Sequence, residues 1–385
     1  MGTSDTHLFL SFEHIFILCM LCFMAKVEGL NKKVSGFYVF GDSTVDPGNN
    51  NYIKTAFKSN FPPYGRDFSN QVPTGRFTNG KLATDYIASY VGLKKEVLPP
   101  YLDPNLTNIE ELMTGVSFAS AGSGFDPLTP TIANVIPIEK QLEYFRECKK
   151  RMKDAMGKQI IENHVKKAVF FMSAGTNDFV LNYFGLPLRR KSYTLLEYQH
   201  LLIQRVKQFI QVWFNYSCVI SFIINFMLLD LLAEGARKIA ITGVPPMGCL
   251  PFMITLNSRN AIFQRDCIDK YSSTARDFNI LLQRELYAMQ LQLNMSTSYA
   301  KIYYVDIYGP IADMIQGPQR FGFDDVDSGC CGSGYIEASI LCNKISNVCP
   351  DPSKYVFWDS IHPTEKAYHN IFLASLPTID FIINN

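Results

Sequence analysis

Ser43, Asp359 and His362 are the residues whose types and spacing point to nucleophilic chemistry. Ester cleavage by a serine needs the hydroxyl, a base to take its proton, a group to orient the base, and donors for the oxyanion. Ser43 stands in Gly41-Asp42-Ser43-Thr44, directly after an apolar run. A strand is expected to turn into a helix there. The hydroxyl would project into a site, and the serine N–H would face substrate with help from the helix N-terminus. A lone serine in a turn is usually only a cap, so the base decides. Beyond the N-terminal apolar segment the chain has His164, His200, His362 and His369. His164 and His200 lie in charged or polar helical surroundings and read as solvated surface residues. His369 follows Glu365-Lys366-Ala367-Tyr368 and reads as helical. His362 lies in Trp358-Asp359-Ser360-Ile361-His362-Pro363, so one short loop can supply base and orienter together. Pro363 suits the first turn of a following helix, which would pin that loop. The oxyanion donors would be the N–H of Ser43, the N–H of Gly122 and the side-chain amide of Asn177. Glycine lets an ester oxygen approach the backbone, and an amide donates without carrying charge.

These residues need elements that bring them together. Five short β-rich apolar runs stand out, at residues 36–40, 115–119, 168–173, 238–244 and 301–307. Helical patterns or long loops separate them. Residues 197–211 carry Leu202, Val206, Phe209 and Ile210 on one stripe, and residues 271–293 form a second long amphipathic segment. Strands alternating with helices predict a parallel sheet covered on both faces, with ligands beyond the carboxyl ends of its strands. The turns that follow the first three runs hold Ser43, then Gly122, then Asn177. Polar, glycine-bearing turns are common in α/β proteins, but that alone does not explain a nucleophile, an amide and a histidine in one set.

The chain has 385 residues, 47% of them hydrophobic, enough for one large α/β domain or two small ones. A net charge of +1 gives no electrostatic argument for nucleic acid or an anionic membrane. The apolar stretch 15–24, followed by Ala25-Lys26-Val27-Glu28-Gly29, fits a signal peptide covering residues 1–29. The stretch is short for a retained anchor. Secretion is therefore expected. Cysteine usage agrees, since Cys330, Cys331, Cys342 and Cys349 crowd together and read as disulfides of open pairing rather than a zinc knot. Asn105-Leu-Thr107 and Asn294-Met-Ser296 are candidate glycosylation sites.

Several ordered segments resemble the plant GDSL, or SGNH, hydrolases. Phe40-Gly-Asp-Ser-Thr-Val-Asp-Pro-Gly-Asn-Asn-Asn51 is similar to the family's first block. Gly115-Val-Ser-Phe-Ala-Ser-Ala-Gly-Ser-Gly124 resembles the second, Gly175-Thr-Asn-Asp178 the third and Asp359-Ser-Ile-His-Pro363 the fifth. Gly243-Val-Pro-Pro-Met-Gly-Cys-Leu-Pro251 and Ser328-Gly-Cys-Cys-Gly332 look like segments of the plant branch. The resemblance implies a three-layer α/β/α flavodoxin-like fold with a central parallel sheet of about five strands. It implies carboxylic ester hydrolysis without metal or other cofactor. It makes Ser43 the nucleophile and first oxyanion donor, Gly122 and Asn177 the other donors, His362 the base and Asp359 its partner. No Gly-x-Ser-x-Gly elbow occurs, which argues against the α/β-hydrolase fold. The family's leucine after the serine is Thr44 here, a change expected to leave the chemistry alone.

One segment has no counterpart in that pattern. Residues 212–229 are eighteen uncharged, mostly apolar residues. As a membrane span they would strand Ser43, Gly122 and Asn177 on one side and His362 on the other. Joining Gln211 to Asp230 instead places Leu231 and Leu232 seven and eight positions after Val206, on the existing stripe. The run therefore reads as an addition to a complete helix, such as an unspliced intron would make, with a lid-like or lipid-contacting loop as the alternative. The expected molecule is a monomeric, secreted, single-domain hydrolase over residues 30–385. It would act on a small-molecule or lipid ester, with no nucleic acid and no stable membrane span. An acyltransferase on the same site, or a non-catalytic lipid- or cell-wall-binding protein, stays open.

Overall fold

All five apolar runs enter one parallel sheet. The computed structural model describes residues 34–93, 97–210, 231–295 and 299–385. Within it, β1 (Phe37–Gly41), β2 (Gly115–Ser117), β3 (Val169–Ser173), β4 (Lys238–Thr242) and β5 (Lys301–Val305) pair in the order β2-β1-β3-β4-β5. β3 is the middle strand, and β1 lies between β2 and β3, with Phe37 opposite both Gly115 and Val169. The strands stop short of the expected ends after β2, β4 and β5, because the residues beyond leave the sheet to build turns at its carboxyl edge.

Side chains alternate between the two faces, as strand geometry requires. Tyr38, Phe40, Phe170, Met172, Ile239 and Ile241 pack against helices Ile138–Met156, Leu195–Ile210 and Asp269–Met295. Phe37, Val39, Val169, Phe171, Ala240 and Val305 face the helices Ala83–Tyr90 and Glu365–Asn384. Burial of each large side chain contributes about 1.5–3 kcal/mol, which makes this double cover the main source of stability.

Some details depart from the sequence reading. A second, two-stranded parallel sheet, β6 (Asp325–Gly329) with β7 (Tyr355–Phe357), was not expected. Its first strand, Asp-Val-Asp-Ser-Gly, has little of the apolar content that marks a strand. His164 is not a solvated surface residue. It is buried on the inner side of helix Lys158–Lys167, with its Nε2 3.1 Å from the Tyr38 hydroxyl, while Lys166 and Lys167 take the outer side. His200 is exposed, and His369 lies half-buried on the C-terminal helix. Pro363 is not in the first turn of that helix. Thr364 caps it, its hydroxyl accepting from the Ala367 N–H, so Pro363 precedes the cap.

The cysteines pair as Cys330–Cys349, Cys331–Cys342 and Cys249–Cys267, and Cys148 is buried and unpaired. The two adjacent cysteines thus tie different parts of the loop between β6 and β7. Among the described residues no helix is long and apolar enough to cross a membrane. The leader expected at 1–29 and the added run at 212–229 lie outside the described residues. The residues that flank the run do not. Leu231 and Leu232 are buried in the same cluster as Val206, Phe209 and Ile210. The Leu231 N–H donates to the Phe209 carbonyl at 3.3 Å.

Candidate active site

β1 ends at Gly41, whose φ is 137°. A side chain there would overlap the Ser173 carbonyl on β3, so the residue has to be glycine. The chain then turns sharply, with Val45 N–H donating to the Asp42 carbonyl at 3.2 Å. No helix follows directly. The expected helix N-terminus behind Ser43 is absent, and a 3-10 turn starts only at Asn49. Side chains hold the turn instead. Asp42 Oδ1 accepts from the Thr44 N–H at 3.0 Å and from the Thr44 hydroxyl at 2.7 Å. Thr44 Oγ1 also lies 2.9 Å from Ser173 Oγ. The threonine that replaces the family's leucine therefore braces the turn. From the other face, Gln141 clamps Gly41, accepting from its N–H at 2.8 Å and donating to its carbonyl at 2.9 Å.

The loop Trp358–His362 follows β7 directly. Ser43 Oγ is 2.8 Å from His362 Nε2, across 319 residues of chain. His362 Nδ1 is 2.8 Å from each carboxylate oxygen of Asp359. Asp359 is fully buried, and its Oδ1 also accepts from the N–H groups of Ile361 at 2.9 Å and His362 at 2.8 Å. The Tyr64 hydroxyl donates to Oδ2 at 2.8 Å and accepts from the Ser339 N–H. Burial, with the Asp359 carboxylate alongside, holds the Tyr64 phenol well above its usual range, so it stays a donor. The Phe77 ring lies 4.9 Å from the imidazole, centre to centre, and limits its swing. With its carboxylate held by four donors, the loop leaves the imidazole one orientation, with Nε2 toward Ser43. Such an arrangement can draw a proton from the serine and hold it as imidazolium beside a carboxylate.

Gly122 and Asn177 lie at the same edge of the sheet. Gly122 adopts φ 88°, and a side chain there would press on Ala133 and Phe57. Among the described residues neither the Ser43 N–H nor the Gly122 N–H has a hydrogen-bond acceptor. Asn177 Nδ2 donates one hydrogen to the Ser123 carbonyl at 2.9 Å, which fixes the amide beside the Gly122 turn and leaves its second hydrogen unassigned. Two buried acids hold these turns. Asp46 accepts from the N–H groups of Gly48, Asn49 and Ala121. Asp178 accepts from those of Phe125 and Asp126 and from the Thr129 hydroxyl. Burial pushes the Asp46 carboxyl up to about 6 and the Asp178 carboxyl up to about 7, against the hydrogen bonds that pull each down. Burial raises Asp42 to about 6 as well.

The structure thus brings Ser43, Asp359, His362, Gly122 and Asn177 to one edge. Asn105 and Asn294, the glycosylation candidates, are exposed and away from it in the chain. Sequence reasoning missed Tyr64, Phe77, Gln141 and Asp46. The last is in the first of the blocks quoted above, and its spacing from the turn was the one signal that could have found it.

A family profile described as GDSL-like Lipase/Acylhydrolase matches residues 37–374. A GDSL esterase/lipase of Arabidopsis thaliana is 56% identical over 94% of this chain and 91% of its own length. A second, from the same plant, is 40% identical over 94% of this chain and 95% of its own. Among solved structures, an alpha/beta hydrolase enzyme from the metagenome of Lake Arreo is 13% identical, covering 91% of this chain and 97% of its own, at a TM-score of 0.38. That likeness is too distant to bear on fold or function.

Proposed function

This chain belongs to the GDSL-like lipase/acylhydrolase family and is a carboxylic ester hydrolase, and from that premise we propose that Ser43, His362 and Asp359 do its chemistry. The observation that carries the reading is the 2.8 Å approach of Ser43 Oγ to His362 Nε2, with Nδ1 held by Asp359.

Ser43 Oγ attacks the ester carbonyl carbon as His362 Nε2 takes the hydroxyl proton. The carbonyl π bond opens onto its oxygen, and the Ser43 N–H, the Gly122 N–H and the Asn177 amide stabilise that oxyanion. The tetrahedral centre collapses, the bond to the alcohol oxygen breaks, and the imidazolium gives its proton to that oxygen. An acyl-serine remains. Water, deprotonated by His362, then attacks it by the same sequence and releases the acid with Ser43 restored. Asp359 stays ionised throughout and stabilises the imidazolium. The two acceptor-free N–H groups support the oxyanion assignment, because buried donors left without partners are rare unless a ligand uses them.

Secretion of a single domain over residues 30–385 is part of the same proposal. The apolar stretch at 15–24 supports it, and so do three disulfides, which persist in oxidising compartments. So does the exposure of Asn105 and Asn294 as glycosylation sites. Residues 212–229 are read as an addition to that domain. The test of the chemistry is kinetic. Ser43→Ala should lower hydrolysis of p-nitrophenyl butyrate on the order of a millionfold while the protein keeps its circular dichroism spectrum. Turnover within tenfold of the unsubstituted protein would exclude Ser43 as nucleophile.

A further inference from the structure

Between the sheet and the C-terminal helix, Phe171 of β3 and Ile87 and Phe372 of the covering helices each keep 6–7% exposure. Protein interiors are otherwise close-packed, so this residual exposure marks space. Two cavities account for it. The upper one is lined by Ser43, Asn177 and the Asp42–Thr44 turn on one side and by Tyr368, Ile371, Phe372 and Ser375 of the C-terminal helix on another. With the open solvent at its mouth counted, its empty space is about 840 Å³. The lower one, smaller, with about 350 Å³ of empty space when open solvent is counted, lies further down the same sheet face between Phe37, Val169, Ala240 and Ile379. Phe171, Ile87 and Val305 line both cavities, and so stand as the partition between them.

Resting on the assignment of Ser43 above, we propose that the upper cavity receives the acyl chain of the ester and that Phe171, with Ile87 and Val305, is the stop that sets chain length. The substrate class is a long aliphatic acyl ester whose tail lies between the sheet and the C-terminal helix. Continuity with Ser43 carries the argument: the acyl group is bonded to Ser43 Oγ, and Ser43 is itself part of the wall of this cavity. The deeper walls are aliphatic and aromatic, so they offer a tail burial but few hydrogen bonds. The lower cavity is space beyond the stop, reached only if the partition moves. Phe171 is placed to decide this, because it is the largest of the three and projects from the middle strand of the sheet.

Two substitutions test the proposal in opposite directions. Phe171→Leu shortens the partition without deleting the whole side chain, and Ser375→Phe fills the upper cavity from the C-terminal helix. The readout is the ratio of kcat/KM for p-nitrophenyl laurate to that for the butyrate, with palmitate as a third point. A methylene in an apolar pocket is worth about tenfold or more. Phe171→Leu should therefore raise the palmitate-to-laurate ratio by about tenfold, and Ser375→Phe should lower the laurate-to-butyrate ratio by at least as much. Binding of a fluorescent long-chain fatty acid to Ser43→Ala gives a readout without turnover, and adding Ser375→Phe to that protein should weaken it. Ratios that stay within twofold of the unsubstituted protein in both folded variants overturn the channel. So does fatty-acid binding that ignores Ser375→Phe. Ser43-dependent turnover with flat ratios would remove only the channel. Undiminished turnover in Ser43→Ala would instead remove the nucleophile.

Discussion

Deleting residues 212–229, so that Gln211 joins Asp230, should stabilise the protein and leave the site working. The structure gives the reason in one hydrogen bond. The Leu231 N–H already donates to the Phe209 carbonyl at 3.3 Å. After the deletion Leu231 becomes the fourth residue beyond Phe209, and that contact becomes an ordinary helical i→i−4 bond. Leu231 and Leu232 already sit in the core with Val206 and Ile210. Helix Leu195–Ile210 therefore gains a continuous last turn without any core residue having to move. The connection between Ile210 and Leu231 shrinks from 20 residues to two. Loop-closure entropy scales as (3/2)RT ln n, so a tenfold shorter connection is worth about 2 kcal/mol. Unfolding entropy grows with chain length, so for a domain of this size that is a rise of about 3 °C in melting temperature. The assay is thermal unfolding by circular dichroism, beside secreted yield and hydrolysis of p-nitrophenyl butyrate. A lower melting temperature, a failure to fold, or lost activity on this short soluble ester would refute the continuous-helix argument. Loss confined to emulsified long-chain lipid would favour the lid.

Four further outcomes follow from named contacts. Asp359→Asn should cut kcat by about 10⁴-fold with the fold kept, because its amide presents a donor where Tyr64, His362 and two backbone N–H groups all donate. Tyr64→Phe removes one donor to that carboxylate and should cost about tenfold or more in kcat/KM, read with the same ester. Asn177→Ala should lower kcat about 10²–10³-fold with little change in KM, since its amide acts on the transition state. The Asp178 carboxyl, raised to about 7, is protonated more readily in the folded protein than in the unfolded chain. Its contribution to stability is therefore complete at low pH and is lost as pH rises through about 4 to 7. Asp178→Asn should flatten the fall in melting temperature between pH 5 and pH 8, and an unchanged slope would count against this.

The five central strands were legible because strands buried on both faces are continuous apolar runs. β6 was not, because Asp-Val-Asp-Ser-Gly is polar and is held by β7 and by disulfides. Ser43, Asp359 and His362 could be picked out because the base and its partner share one short loop. Tyr64 could not, since it reaches Asp359 from 295 residues away. His164 was misjudged because its neighbours in sequence are charged while its ring faces Tyr38. The adjacent pair Cys330 and Cys331 gave no hint of which of Cys342 and Cys349 each bonds. The helix expected behind Ser43 was inferred from α/β habit, whereas Asp42, Thr44 and Gln141 hold that turn by side-chain hydrogen bonds.

The central claim is that Ser43 forms the covalent bond to substrate. Labelling the secreted protein with a fluorophosphonate, followed by digestion and mass spectrometry, tests it most directly. The account predicts one adduct, on the peptide carrying Ser43, absent from Ser43→Ala and strongly slowed in His362→Ala. A stable adduct on any other serine, or undiminished labelling of Ser43→Ala, would contradict it.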